Sequence, residues 1–119
     1  MGVKIAVASS DGKQVNAHFG RARCFQVYEL EQGHWAFREE RINLPACVGH
    51  EHSNDALERT AELIADCSGV VAAQVGSGAV DLLLARRIMP FMLTGTVEEA
   101  LLTLQDAKRF QFLRQAEKP

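Results

Sequence analysis

Apolar residues dominate Val3 to Ala8, and the run stops at Ser9-Ser10-Asp11-Gly12, the pattern of a strand that ends in a turn. Cys24 to Leu30 and Trp35 to Leu44 read as two more strands, joined near Gln32-Gly33 as a hairpin and closed by Pro45. A polar stretch then leads to Ser53-Asn54-Asp55, three natural N-cap residues. Leu57, Ala61 and Ile64 follow at helical spacing. Val70 to Val75 is almost continuously apolar, as a strand buried on both faces requires. Gly76-Ser77-Gly78 turns the chain into a second helix, with Val80, Leu83 and Leu84 expected to face inward. Ile88 to Leu93 is another short strand, and Pro90 within it predicts a sheet edge or a strand start. Thr96-Val97-Glu98-Glu99 is a capping box for a third helix, whose apolar stripe is Ala100, Leu101 and Leu104.

The order of elements is therefore βββαβαβα. Three consecutive strands make an antiparallel meander, and the later βαβ unit imposes parallel pairing through a right-handed crossover. The expectation is an α/β fold with a mixed five-stranded sheet in the order 3-2-1-4-5 and helices on its faces. Residues 1–110 form one domain, and residues 111–119, charged at their end, are expected to fray. In this topology the loops after strands 1, 3, 4 and 5 open onto one edge of the sheet. Ligands of open α/β sheets bind outside the carboxyl ends of the strands.

Composition narrows the classes. The chain has 119 residues, 47% hydrophobic and 24% charged, enough for one core. Thirteen basic against fifteen acidic residues give a net charge of -2, without the basic excess that nucleic-acid binding demands. No secretory signal, lipidation motif or membrane-length apolar run is visible, and three irregularly spaced cysteines do not make a disulfide framework. A cytoplasmic protein, monomeric or weakly homodimeric, is expected.

Those converging loops carry the candidate chemistry. His18 lies in Val15-Asn16-Ala17-His18-Phe19-Gly20, and Cys47, His50 and His52 form a C-x-x-H-x-H cluster. A thiolate and imidazoles held in loops suit zinc, copper or an iron–sulfur species better than an organic substrate. Gly76-Ser77-Gly78 matches no nucleotide-binding fingerprint, but the amides of a helix N-terminus suit an anion, including a metal–sulfur cluster. Arg21, Arg23, Arg86 and Arg87 are candidate counter-charges, and Cys24 and Cys67 read as packing residues. Hydrolytic chemistry is poorly served. No serine sits in a nucleophile elbow, nothing orients a Cys47/His50 dyad, and the first strand lacks the acids of a two-metal nuclease.

Ile5-Ala6-Val7-Ala8-Ser9-Ser10-Asp11-Gly12 and Val15-Asn16-Ala17-His18-Phe19-Gly20-Arg21-Ala22 resemble the start of the dinitrogenase iron-molybdenum cofactor biosynthesis domain, the family of NifX, NafY and the NifB C-terminal domain. The resemblance continues through Ala65-Asp66-Cys67, Gly76-Ser77-Gly78-Ala79, Ile88-Met89-Pro90-Phe91 and Gly95 to Leu101, and covers about residues 3 to 105. It implies a ribonuclease H-like fold without nuclease activity. It also implies a non-enzymatic carrier or chaperone that binds an iron–sulfur, FeMo-cofactor precursor-like cluster and hands it on to metallocofactor or nitrogenase assembly proteins. The family's cluster-associated histidine falls on His18, with Phe19 and Gly20 beside it. Two positions depart from the pattern: Arg87, where many relatives have glycine, and Cys24, where an aromatic is common. Some small relatives bind Mo-Cu sulfide instead. A simple zinc or copper protein, ligated by Cys47, His50, His52 and His18, is the competing expectation.

Overall fold

The computed structural model describes residues 3–43 and 53–104. Five strands form one sheet: β1 (Lys4–Ala8), β2 (Cys24–Glu31), β3 (His34–Ile42), β4 (Gly69–Ala72) and β5 (Met89–Met92). Three helices, α1 (Ser53–Leu63), α2 (Ser77–Ala85) and α3 (Val97–Leu104), and a 3-10 turn at Phe19–Arg21 complete the described elements. The strand order is β3-β2-β1-β4-β5. β1 pairs antiparallel with β2 and parallel with β4, so the carboxyl ends of β1, β3, β4 and β5 share one edge.

The hairpin between β2 and β3 turns on Gln32 and Gly33, both at positive φ (50° and 84°). Two left-handed residues in sequence give the turn whose twist matches paired strands, and glycine supplies the second without a steric cost. A β-bulge shifts the register between Val27 and Tyr28, placing Arg38 opposite no single partner. Arg38 instead pairs with Glu29 and Glu31.

Side-chain alternation sorts the core into two layers. Ala6, Ala8, Phe25, Val27, Val70 and Ala72 face α1 and α2, where Ala61, Ile64, Ala79 and Leu83 meet them. Ile5, Val7 and Val71 face the other way, toward Val97, Ala100 and Leu104 of α3. β1 and β4 are central and covered on both sides, which is why their sequences carry no polar alternation. Leu84 departs from its expected inward orientation and is 48% exposed. α2 lies over the β4–β5 end of the sheet, and the stripe it fully buries is only Ala79 and Leu83.

The structure shortens the fourth strand from the expected Val70–Val75 to Gly69–Ala72. Ala73 and Gln74 keep strand-like bonds, but to the loop after β1 rather than to the sheet ladder. At the far end of α2, Arg86 caps the helix and Arg87 adopts the left-handed conformation, φ 64°. Arg87 N–H donates to Leu84 O (3.0 Å) and Ile88 N–H to Leu83 O (2.8 Å). This is the Schellman arrangement, normally completed by glycine. On the edge strand β5, Pro90 stands opposite Val70, where its missing N–H costs nothing on the open side. The capping box of α3 forms as its sequence dictates. Glu99 N–H donates to Thr96 Oγ1 (3.0 Å), and Thr96 N–H donates to Glu99 Oε1 (3.1 Å).

Candidate functional site

The chain leaves β1 in a tight polar turn. Asp11 Oδ1 accepts the amides of Lys13 (2.8 Å) and Gln14 (3.0 Å), and these backbone donors, Gln14 first, hold its pKa below the usual value. Gln14 to Phe19 then runs across the carboxyl ends of the parallel strands. Val15 N–H donates to Gly95 O (2.9 Å), Ala73 N–H to Ala17 O (3.0 Å) and Phe19 N–H to Gln74 O (2.9 Å). Asn16 locks the crossing to the turn. Its Oδ1 accepts Ser10 N–H (3.1 Å) and its Nδ2 donates to Ser10 Oγ (3.0 Å).

His18 sits where this crossing passes into the 3-10 turn, with extended backbone (φ -77°, ψ 144°) and an exposed side chain. Its backbone bridges to Gln74, and its carbonyl accepts Arg21 N–H (3.0 Å). Phe19, next in sequence, is fully buried against Phe25, ring centroids 6.0 Å apart. The side chain of Phe19 is thus a core anchor that fixes the histidine backbone. Gly20 permits the turn to approach α1 closely. A Cβ there would lie 3.3 Å from Leu57 Cδ2.

Gln74 leads directly into Gly76-Ser77-Gly78, the opening of α2, and all three are exposed. Gly76 supplies no side-chain cap, and a Cβ at Gly76 or Gly78 would meet nothing within 4 Å. The start of α2 therefore has no side-chain cap and follows closely on Gln74, which bridges to His18, and the positive end of the helix dipole lies there. The start of α3 differs, although the same edge was expected to offer it. Thr96 is engaged by Glu99, Val97 N–H donates to Lys13 O (2.8 Å), and Gly95 O is taken by Val15. Of the four candidate arginines, Arg21 and Arg23 are exposed on the His18 side. Arg86 and Arg87 lie at the opposite edge, where α2 ends, and Arg86 pairs with Glu62 (2.7 Å).

Cys47, His50 and His52 lie outside the described residues. The residues that flank them are held close to the histidine turn. Asn43 N–H donates to Arg23 O (2.7 Å), and Asn43 Nδ2 donates to Ala22 O (2.8 Å) and Thr60 Oγ1 (3.0 Å). On the other flank Leu57 of α1 packs at Gly20. Cys24 and Cys67 are buried. Burial pushes the Cys67 thiol up to about 12, with Asp66 adding to the effect, and burial followed by Glu40 raises Cys24. Neither is a ready thiolate. Among the described residues no group of three or more His, Cys, Asp or Glu side chains is placed to hold a metal ion.

A family model described as "Dinitrogenase iron-molybdenum cofactor" matches residues 1–107. The chain belongs to this family. It is 36% identical to NifY of Klebsiella pneumoniae over 86 residues, 71% of this chain and 35% of NifY. It is 31% identical to NifX of Azotobacter vinelandii over 93 residues, 74% of this chain and 54% of NifX. A FeMo cofactor biosynthesis protein NifB of Herbaspirillum seropedicae matches at 36% over 72 residues, 60% of this chain and 14% of NifB. The chain spans about a third of NifY and about half of NifX. Among solved structures, PH0822 superposes with a TM-score of 0.69 at 16% identity, over 87% of this chain and 90% of that one. A putative NifB protein from Thermotoga superposes with a TM-score of 0.56 at 23% identity, over 91% and 90%. These likenesses establish the fold.

Sequence reasoning missed Gln74 and Asn16 as positioning groups. Gln74 acts through its backbone, which leaves no signal in residue type. Asn16 sits in the quoted family segment, and its pairing with Ser10 six residues earlier is an Asx-type contact that spacing alone does not reveal.

Proposed function

We propose that this chain is a non-catalytic carrier that takes an iron–sulfur precursor of the iron-molybdenum cofactor as cargo and hands it on to nitrogenase assembly proteins. The observation that carries the reading is the placement of His18. An exposed imidazole stands on backbone fixed to Ala73 and Gln74, beside the uncapped start of α2. A neutral imidazole is a good ligand for iron, and metal–sulfur clusters are anionic. The amides of Ser77 and Gly78, with Arg21 and Arg23, supply positive charge for such cargo.

Cys47 and one of His50 or His52 are the further ligands in this reading. Support comes from the tethering of Asn43 and Leu57, on either side of their loop, to the histidine turn. Few ligands in a solvent-facing site suit a carrier, because transfer requires release. In this reading the fold is of the ribonuclease H-like type without its nuclease chemistry; the support is the strand order and a β1 that carries no acidic residue. The chain acts in the cytoplasm, without nucleic acid or membrane, as a monomer or weak homodimer. Among the described residues no helix is long and apolar enough to cross a membrane.

Anaerobic incubation with iron and sulfide, or with isolated precursor, is expected to give a visible chromophore that weakens in His18→Ala while thermal stability is retained. An unchanged chromophore in that variant would remove His18 from the ligand set. Stoichiometric zinc or copper without sulfide would replace the cluster reading with a simple metal site.

A further inference from the structure

A cavity of about 490 Å³ opens on the α3 side of the sheet, between the turn after β1, Tyr28 of β2 and the first turn of α3. Its floor is apolar: Val97 is buried, and Leu101 and the Tyr28 ring are half-buried. The backbone of the walls is fixed. Ser9 Oγ accepts Gly12 N–H (2.9 Å), Asp11 Oδ1 accepts the amides of Lys13 and Gln14, and Val97 N–H donates to Lys13 O (2.8 Å). A cavity whose walls are held in advance loses less ordering entropy when a ligand enters. Its size lies in the range of about 300–1,000 Å³ found for small-molecule sites.

The polar groups on these walls are unused. The Lys13 ammonium, the Gln14 amide, the Tyr28 hydroxyl and the Glu98 carboxylate make no hydrogen bond or ion pair among the described residues. Glu99, the neighbour of Glu98, is by contrast taken up by Thr96. Burial raises the Tyr28 phenol above its ordinary pKa, so it stays protonated and can donate near neutrality. Lys13 comes from the turn and Glu98 from α3, and they do not pair across the opening. A simple anion would meet Lys13 but also Glu98, and a simple cation the reverse. A purely apolar molecule would cover polar groups without pairing them. A zwitterion answers both charges at once.

We infer that this cavity binds a free amino acid with an apolar side chain. Lys13 and Tyr28 hold its carboxylate, Glu98 accepts from its ammonium, and its side chain lies against Val97 and Leu101. His18 does not line the cavity, so the inference stands independently of the cargo reading.

The metal-free protein is titrated with L-phenylalanine and with L-leucine and followed by amide chemical shifts. Saturable shifts at Gly12, Lys13 and Glu98 are expected at millimolar ligand, with α1 unmoved. Phenylalaninamide lacks the carboxylate and N-acetyl-phenylalanine lacks the ammonium. Each is expected to bind roughly fivefold or more weakly than phenylalanine. Two variants assign the charges. Lys13→Met should lose the preference for phenylalanine over its amide, and Glu98→Gln the preference over the N-acetyl form. Both side chains are exposed and unpaired, so both variants should melt close to the parent. No saturable shift with either amino acid would overturn the inference. So would equal binding of the three phenylalanine forms, or preferences that survive in the two variants.

Discussion

Arg87 holds a conformation that its side chain disfavours, and replacing it should stabilise the protein. Its φ of 64° places Cβ close to the following carbonyl, at a cost of roughly 1–2 kcal/mol for a non-glycine residue. The turn requires that φ, because Arg87 N–H and Ile88 N–H close the end of α2 on Leu84 O and Leu83 O. Arg87→Gly removes the penalty. Against this, glycine makes the unfolded chain more mobile and gives back about 0.4–1 kcal/mol. The net expectation is a gain of about 0.5–1 kcal/mol, which for a domain of this size raises the melting temperature by about 2–5 °C. Arg87→Ala is the control, since alanine keeps Cβ and should gain little or nothing. Both are measured by calorimetry and by urea unfolding, with an unchanged m-value confirming that the native and unfolded states have not altered otherwise. Arg87→Gly no more stable than Arg87→Ala would refute the strain argument. The same experiment explains why glycine before Ile-x-Pro suits this turn.

Three further outcomes follow from the packing. Arg41 donates to both oxygens of Asp66 (2.6 and 2.9 Å) and to Leu63 O (3.0 Å), and this pairing, with Lys4 adding charge, holds Asp66 well below the usual carboxylate range. A depressed folded-state pKa stabilises above the unfolded value of about 3.9 and loses that contribution as pH falls. Because Asp66 is partly exposed, Asp66→Asn is expected to cost only about 0.5–1 kcal/mol at pH 7. Its stability should converge with the parent's in acid, and a constant difference down to pH 2 in acid-unfolding curves would count against the pairing. In thiol titration at pH 8, Cys24 and Cys67 should stay silent in the folded protein and react only on unfolding; fast labelling of Cys67 would contradict its burial. Gly20→Ala should force Leu57 Cδ2 to give way, destabilising by about 1 kcal/mol, and Leu57→Ala should remove that extra cost in a double-mutant cycle. Independent, additive losses would show that the close approach between the 3-10 turn and α1 is not felt.

How far the site could be read from sequence depends on the kind of contact involved. His18 stands out because an imidazole among small polar residues needs an explanation, and strand polarity alone carries its loop to the edge where α2 begins. Phe19 gives no such clue. As an aromatic beside the histidine it reads as part of a binding surface, yet it is fully buried and acts by anchoring the backbone. The α3 start had the same claim on anions as the α2 start. Only the crossing of Gln14 and Val15 shows that its groups are already engaged. The arginines divide in a similar way, because a helix separates Arg86 and Arg87 from the edge that Arg21 and Arg23 share.

The sequence by itself determined the elements and their order. The apolar runs of β1 and β4, the Gln32-Gly33 turn and the Thr96–Glu99 box are local, and each is satisfied within a few residues. Chain connectivity then left few ways to assemble a meander and a right-handed βαβ unit into one sheet. Tertiary structure alone decided where β4 gives up its ladder, because Ala73 and Gln74 bond a segment more than fifty residues away. It also decided which helix start stays open and which aromatic becomes an anchor. Backbone hydrogen bonds between distant segments carry no residue preference, so nothing in the order of side chains announces them until the chain has folded.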